Sequence, residues 1–427
     1  MAAFPAEAEI GGAGGPLSGV DVPSEADVPR EADVIVIGAG VTGASIGYQL
    51  ARHSDLRVVI VDARAPVGGI SGRTFGQIRQ HYSNELMVRI AQRGFRCIQN
   101  WDSVVGFGDP GYARFGYMLL VVADQLDGLR HNIELGQRLG VDTRFVVGDE
   151  ISEIEPLVNA EGLAGGAYEP EGGYIDVTKM VLSWLTAASA AGADVLAPVA
   201  VEEITTAGDT VTGVATAAGE IAAPTVVAAT GAWARDLLDP LGVEVPIERR
   251  RLEMAVLEQH AGARALGTCI TDGNSNLVIR PDMGRHIVAV AYPPEMPVVD
   301  DPLADASDAD HAAHDVRLRA AISERLPSLT VAATVSTTAG AYDVAPDYHP
   351  ILGWASEIAP VDGLYLAVGL SGHGLKLSPA LGEIVAARVL GVDQVGDAPP
   401  IDISALRPSR IADGDLMHLS YGPSARA

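Results

Sequence analysis

Lysine is nearly absent from this chain. Only Lys179 and Lys376 occur among its 29 basic side chains, so arginine carries almost all of the positive charge. Positive charge is itself scarce, and the formal net charge at pH 7 is −26. A chain this acidic argues against nucleic acid and anionic membrane surfaces as partners, and an anionic substrate would need a locally positive pocket. The two cysteines, Cys97 and Cys269, lack metal-like spacing, and a reduced, cytoplasmic setting is the simple reading. No apolar run reaches the roughly 18 residues of a membrane-spanning helix. The N-terminal stretch has no basic segment followed by an apolar core. Its Ala, Gly, Pro and acidic composition reads as a disordered tail rather than a signal peptide. His311 and His314 fall with Asp308 and Asp310 in and beside an acidic loop over 298–311, and the cluster reads as solvated. No metal site is expected.

What is present points to an enzyme. With 427 residues, 48% of them apolar, the chain can bury a large core in two or three domains. Near its start, Asp33-Val34-Ile35-Val36-Ile37 reads as a buried strand. It runs into Gly38-Ala39-Gly40-Val41-Thr42-Gly43, then a helical stretch through Gly47 and Leu50. A second strand, Leu56 to Asp62, follows. This is a βαβ unit with G-x-G-x-x-G at its first turn. The glycines allow a tight turn, close approach of a pyrophosphate and tight helix–strand packing, while the helix N-terminus faces the phosphates. Asp62 ends the second strand where it can bond a pair of ribose hydroxyls, which argues against a 2′-phosphate. Ala63 and Arg64 follow it directly and join the candidate cofactor residues, with Gly38, Gly40, Val41, Thr42 and Gly43.

A second glycine-rich turn lies near the other end. Gly369-Leu370-Ser371-Gly372-His373-Gly374-Leu375-Lys376 follows the apolar run 364–368 and precedes a helical pattern through Leu377, Leu381, Ile384, Val385 and Val389. A strand ends, the backbone crowds in, and a helix N-terminus presents free N–H groups and partial positive charge. One of the two lysines stands in that first helical turn, where the dipole disfavours a cation. Between the two turns the patterns predict helices over 124–140 and 314–326 and another starting near 177. Strands are predicted over 113–122, 194–201, 211–216, 221–229, 246–257, 277–290 and 333–343. The chain after about residue 398 shows no periodicity and reads as a peripheral tail.

Taken together, these motifs resemble the FAD-dependent glycine/D-amino acid oxidase (DAO) family, and within it the sarcosine oxidases, including the β-subunit type. The resemblance rests on the first fingerprint with Asp62, on Ser71-Gly72-Arg73, on Ala229-Thr230-Gly231, on Ala345-Pro346-Asp347-Tyr348-His349-Pro350-Ile351, and on Gly369 to Lys376. It spans roughly residues 32–395. It implies an α/β (overall α+β) fold. A Rossmann-like FAD-binding domain would be assembled from 32–110, 166–242 and 343–396. A discontinuous substrate domain on an antiparallel or mixed sheet would come from 111–165 and 243–342. Tails would cover 1–31 and 397–427.

The resemblance also implies site roles. Ser71, Gly72 and Arg73 would contact the pyrophosphate or ribityl region. Val201, Thr230, Gly231 and Trp233 would border the cofactor. Gly372, His373, Gly374, Leu375 and Lys376 would lie near the flavin ring. Arg79 and Lys376 match the positions that clamp a substrate carboxylate, and Tyr342 matches a pocket tyrosine where D-amino acid oxidases place an arginine. Some relatives attach FAD covalently through a cysteine just before that tyrosine; here the position is Gly340, so non-covalent FAD is expected. Where relatives place an oxygen-activating lysine, either Arg280 substitutes or the enzyme reacts poorly with O2; His81 is a candidate to border the pocket. The implied reaction is oxidation of the C–N bond of a small secondary amino acid, such as an N-methyl amino acid, with O2 or an electron-transfer partner reoxidising FAD. The alternatives are a D-amino acid, glycine, proline-like or 2-hydroxy acid substrate, or a non-catalytic assembly role. A homo-oligomer or a partner subunit remains open.

Overall fold

Val34–Ile37 is four consecutive apolar residues, all buried, and it occupies the middle of a six-stranded sheet. The sheet order is Ile351–Trp354, Leu364–Val368, Thr225–Ala228, Val34–Ile37, Val58–Val61, Asp194–Leu196. All neighbours pair in parallel except the edge strand Ile351–Trp354, which is antiparallel. Side-chain alternation explains why these strands are apolar throughout. Val34, Val36, Val58 and Ile60 pack toward the helices Val41–His53, Val177–Ala190 and Gly374–Leu390. Ile35, Ile37, Val59 and Val61 pack with Ile204, Val214 and Ile221 of the small antiparallel sheet Val201–Ala207, Thr210–Thr216, Gly219–Ala222. Both faces of the main sheet are therefore covered. This computed structural model describes residues 28–417. Among them, no helix is long and apolar enough to cross a membrane.

An eight-stranded sheet forms the second layer system. Its order is Val331–Val344, Glu248–Gln259, His286–Ala291, Leu277–Pro281, Cys269–Asp272, Tyr117–Val121, Gly165–Glu169, Arg144–Val146. Only the pairing of Cys269–Asp272 with Tyr117–Val121 is parallel. One face is covered by the helix Asp308–Arg325, through Leu318, Ala321 and Ile322. On the other face the register sets Leu119 beside Thr271, Thr271 beside Val278, and Val278 beside Val290. That row roofs the candidate site. A short sheet of Gln77–Ile78, Gly173–Ile175 and Tyr112–Arg114 delivers the segment after Ile78 beneath it.

Several sequence expectations need correction. The stretch 277–290 is a hairpin, Leu277–Pro281 and His286–Ala291, not one strand. The strand expected over 194–201 stops at Leu196, and a new one begins at Val201. The acidic loop 298–311 ends early, because Ser307 and Asp310 form a capping box that starts the helix at Asp308. His314 is not solvated. It is buried on that helix, it accepts from the Ala291 N–H at 3.4 Å, and burial lowers its imidazole to about 4. Of the N-terminal tail, residues 1–27 lie outside the described residues, but Val28 is buried and Ala222 N donates to Arg30 O at 3.0 Å.

The C-terminal segment is the largest correction. It is not peripheral as far as residue 417. Arg410 is 0% exposed and makes a two-pronged ion pair with Asp347, Nε to Oδ2 and Nη2 to Oδ1, both at 2.9 Å. It also donates to His349 O and Leu406 O. Periodicity could not reveal this, because the segment is anchored by charge and turns rather than by an apolar face. Removing one partner strands a buried charge, which costs about 3–5 kcal/mol. Arg410→Met should therefore lower the unfolding free energy by that order in denaturant titration. Adding Asp347→Asn to Arg410→Met should cost less than the sum of the single changes.

Candidate active site

The first fingerprint builds a cleft because its glycines leave no room for side chains. Gly38 has φ +107°, and a Cβ there would come within 2.4 Å of Ala229 O; at Gly43 a Cβ would lie 1.8 Å from Gly38 O. The helix Val41–His53 can thus start hard against two strands. Asp62 closes the far side. Its Oδ2 accepts from Ala39 N at 2.7 Å and its Oδ1 from Arg64 N at 2.8 Å, while burial pushes its carboxyl up. The Arg64 guanidinium lies over the Trp233 ring, 4.4 Å from its centroid. Ser71 Oγ accepts from Val41 N at 3.1 Å.

The resulting cleft has a volume of about 390 Å³. Gly38, Gly40, Val41, Thr42, Asp62, Ala63 and Arg64 line one end. Ser71, Arg73 and Val201 follow, with Thr230, Gly231 and Trp233 opposite. Gly372, Gly374 and Leu375 close the other end. Gly43 and Gly72 shape the turns without reaching the wall. Arg73 borders the cleft, but its guanidinium is committed to the backbone, donating to Leu303 O at 3.0 Å and Ala339 O at 2.7 Å. Two observations make the cleft fit a dinucleotide. Thr230 Oγ1 is buried with no hydrogen-bond partner, and Asp62 keeps acceptor capacity on both oxygens for ribose hydroxyls.

A second cavity of about 140 Å³ adjoins the first and shares Thr74, Phe75, Val290, Tyr342, Gly372 and Leu375 with it. Arg79, Tyr342, His373 and Lys376 all line this cavity, so His373 and Lys376 face it rather than the cleft. The Tyr82 ring lies close to both cations. The Arg79 guanidinium is 4.8 Å from its centroid and Lys376 Nζ is 6.0 Å away, within reach of a cation–π attraction. Arg79 also donates to His81 O and lies 5.9 Å from the Tyr117 ring centroid. Burial, then the neighbouring Arg79 charge, holds the Lys376 amine well below the usual lysine range. His373 is kept neutral by burial first and by Lys376 second, with Tyr82 Oη 3.2 Å from its Nδ1. His81 and Arg280 line neither cavity. Arg280 is turned away, donating to Phe75 O and Pro281 O and pairing with Asp282 at 3.1 Å.

The turn carrying His373 and Lys376 is held by a residue the sequence reading missed. Asp343, at the end of Val331–Val344, accepts from Leu370 N at 2.9 Å, and Ser371 N donates to its backbone carbonyl at 3.1 Å. Burial pushes its carboxyl up to about 6. Glu169, Tyr82, Gln77 and Gln125 were missed as well. Glu169 Oε2 accepts from Gln80 N at 2.8 Å, which fixes the backbone beside Arg79. Neither acid has a motif around it, because its partners lie 27 and 89 residues away in the chain.

A largely parallel sheet with a G-x-G-x-x-G cleft and a second cavity adjoining it defines a dinucleotide-dependent enzyme architecture. The chain belongs to the DAO family of FAD-dependent oxidoreductases, whose model matches residues 33–388. It is 24% identical over 376 residues to the 4-methylaminobutanoate oxidase (formaldehyde-forming) of Paenarthrobacter nicotinovorans. That match covers 86% of this chain and 45% of the relative, so the chain spans less than half that protein's length. It is 26% identical to the monomeric sarcosine oxidase of Bacillus sp. (strain B-0618), covering 84% of this chain and 92% of the relative. Its fold superposes on the L-proline dehydrogenase of P. horikoshii with a TM-score of 0.80 at 23% identity, over 91% of this chain and all of the other. FAD is the family's cofactor. Neither cysteine lines the cleft.

Glu169 gives this site a pH signature. Burial, eased by the Gln80 N–H and the Arg79 charge, raises its carboxyl from 4.5 to about 7. Between those values the folded protein holds a proton that the unfolded chain releases, so its contribution to stability is lost as pH rises from about 4.5 to 7. Glu169→Gln should flatten that loss by up to about 3 kcal/mol, at roughly 1.4 kcal/mol per pKa unit. Denaturant midpoints measured from about pH 4 to about pH 8, which brackets both values, check this against the wild type.

Proposed function

We propose that this protein oxidises the C–N bond of a small secondary amino acid, such as an N-methyl amino acid, to an imine that water then hydrolyses. The observation that carries this reading is the pair of buried basic side chains, Arg79 and Lys376, on the wall of a cavity next to the cofactor cleft. Asp272 is the only acid on that wall among the described residues, and it is committed to Arg325 at 2.7 Å. The cavity is therefore lined by basic side chains with no uncommitted acid among the described residues, suited to a carboxylate held by charge-assisted hydrogen bonds.

FAD, when bound, supplies the two-electron acceptor. In the cofactor cleft, Asp62 would accept from ribose hydroxyls, and the N-terminus of Val41–His53 would face the pyrophosphate. In the cavity, Arg79 and Lys376 would fix the substrate carboxylate, which points the amine toward the shared wall. Tyr342 stands on that wall, with Tyr292 Oη 3.5 Å from its own. Val278, Val290 and Met296 keep the space apolar, so the amine would bind as the neutral base. His373 is neutral too, so it adds no competing charge beside the carboxylate. Fixing the reactants in this way supplies catalysis by orientation rather than by a dedicated base. The identities of the two relatives named above, each acting on a methylamino compound by name, support the secondary-amine reading over the D-amino acid one. So does Gly340-Ala341-Tyr342, which lacks an arginine at that place.

The test is anaerobic mixing of the FAD-loaded protein with sarcosine, other N-methyl amino acids, proline, D-amino acids and 2-hydroxy acids, followed by admission of air. Loss of the visible flavin absorbance with N-methyl amino acids is expected. Bleaching only by D-amino acids or hydroxy acids would overturn the reading, and the rate of recovery in air distinguishes O2 from another acceptor. Lys376→Met should raise KM more than tenfold, since removing one partner of a buried charge contact costs about 2–5 kcal/mol. An unchanged KM would remove the clamp.

A further inference from the structure

The substrate cavity is longer than its cationic end requires. Along Tyr117–Val121 the alternating residues Tyr117, Leu119 and Val121 line it, and that span is about 13 Å at about 3.3 Å per residue. Arg79 stands at the Tyr117 end. At the other end is Gln125, whose backbone N–H donates to Val122 O at 3.1 Å. Its amide packs on the bare backbone of Gly273, where a Cβ would come within 2.9 Å of Gln125 Oε1. Gly273 N in turn donates to Leu120 O at 3.0 Å, which locks that corner. Between the two ends Leu119, Val121, Val278 and Val290 make much of the wall apolar, with Thr271 among them.

Gln125 Oε1 is buried on this wall and has no hydrogen-bond partner. A buried acceptor left unpaired is unfavourable, and native structures seldom tolerate one without a ligand or an ordered water. The neighbouring charge is already neutralised. Asp272 accepts from Arg325 Nε at 2.7 Å and from Ser275 Oγ at 2.6 Å, so nothing at this end calls for a cation. We infer that the Gln125 end of the cavity is a side-chain subsite for a neutral hydrogen-bonding tail, of which a carboxamide is the best match. An amide tail can donate to Gln125 Oε1 and accept from Gln125 Nε2. The inference rests on the reading above that Arg79 and Lys376 anchor the substrate carboxylate. It extends that reading to substrates carrying several more atoms than sarcosine.

Unreactive ligands test it without requiring turnover. FAD-loaded protein is titrated with ω-carbamoyl alkanoates of graded chain length, each paired with its isopropyl-ended isostere, and binding is followed through the flavin spectrum. Acetate, which has no tail, reports on the cationic end separately. At one chain length the amide should bind at least tenfold tighter than its isostere. That ratio should fall to about one in Gln125→Leu, and in Gln125→Asn the preferred tail should lengthen by one methylene. Equal affinity for amide and isostere at every length, or a preference that survives Gln125→Leu, would overturn the subsite. A tail preference in a protein whose flavin no amine reduces would uphold the subsite and defeat the amine-oxidation reading. Flavin reduction by amines with no tail preference would do the reverse.

Discussion

The carboxylate of Asp343 holds the two halves of the site in register. It ends a strand of the eight-stranded sheet, yet its oxygen accepts from Leu370 in the turn that leaves the parallel sheet. Ser371 strengthens the link from both sides, donating its N–H to Asp343 O and accepting from Ala345 N through its Oγ at 3.0 Å. The turn so fixed presents Gly372 to the cofactor cleft and His373 and Lys376 to the cavity. Tyr342, one residue before Asp343, borders both. Cleft and cavity therefore cannot shift independently without breaking a buried acid's hydrogen bonds.

Around that turn the energetics disfavour a second positive charge beside Arg79. Lys376 stands in the first turn of a helix, where the dipole opposes it, it is buried, and Arg79 lies nearby. Each factor works against a protonated amine, and the Tyr82 ring offers partial relief. In the proposed reading, an anion brought between Arg79 and Lys376 would offset the Arg79 charge and favour the protonated amine, so binding energy would concentrate on ligands that carry a carboxylate. The strongly acidic surface of the chain gives such an anion no general attraction, which leaves the local pocket to select it.

How much of this could be read from the chain depended on how local the interactions are. The Gly38–Gly43 fingerprint and the Gly369–Lys376 turn were legible because glycines, apolar strands and helix starts follow one another within a few residues. Lys376 stood out because lysine is so rare. Arg79 and Tyr342 needed a family pattern, since nothing in their neighbourhood distinguishes a cavity arginine or tyrosine from a surface or core one. Asp343, Glu169 and Arg410 were invisible for a common reason. Each is a buried ionisable group whose partner lies 27, 89 and 63 residues away, and pairing at such separations leaves no periodic trace. His314 failed in the opposite way: its acidic neighbours suggested solvent, while its own helix face turns inward.

The central claim is that Lys376 is a desolvated amine waiting for a carboxylate, and proton linkage tests it most directly. Titration calorimetry of an inert carboxylate such as acetate into the FAD-loaded protein, repeated in buffers of different ionisation enthalpy, measures protons taken up on binding. The account predicts uptake that grows toward one proton per ligand as pH rises and disappears in Lys376→Met. Binding without proton uptake at any pH, and equally tight in Lys376→Met, would contradict it.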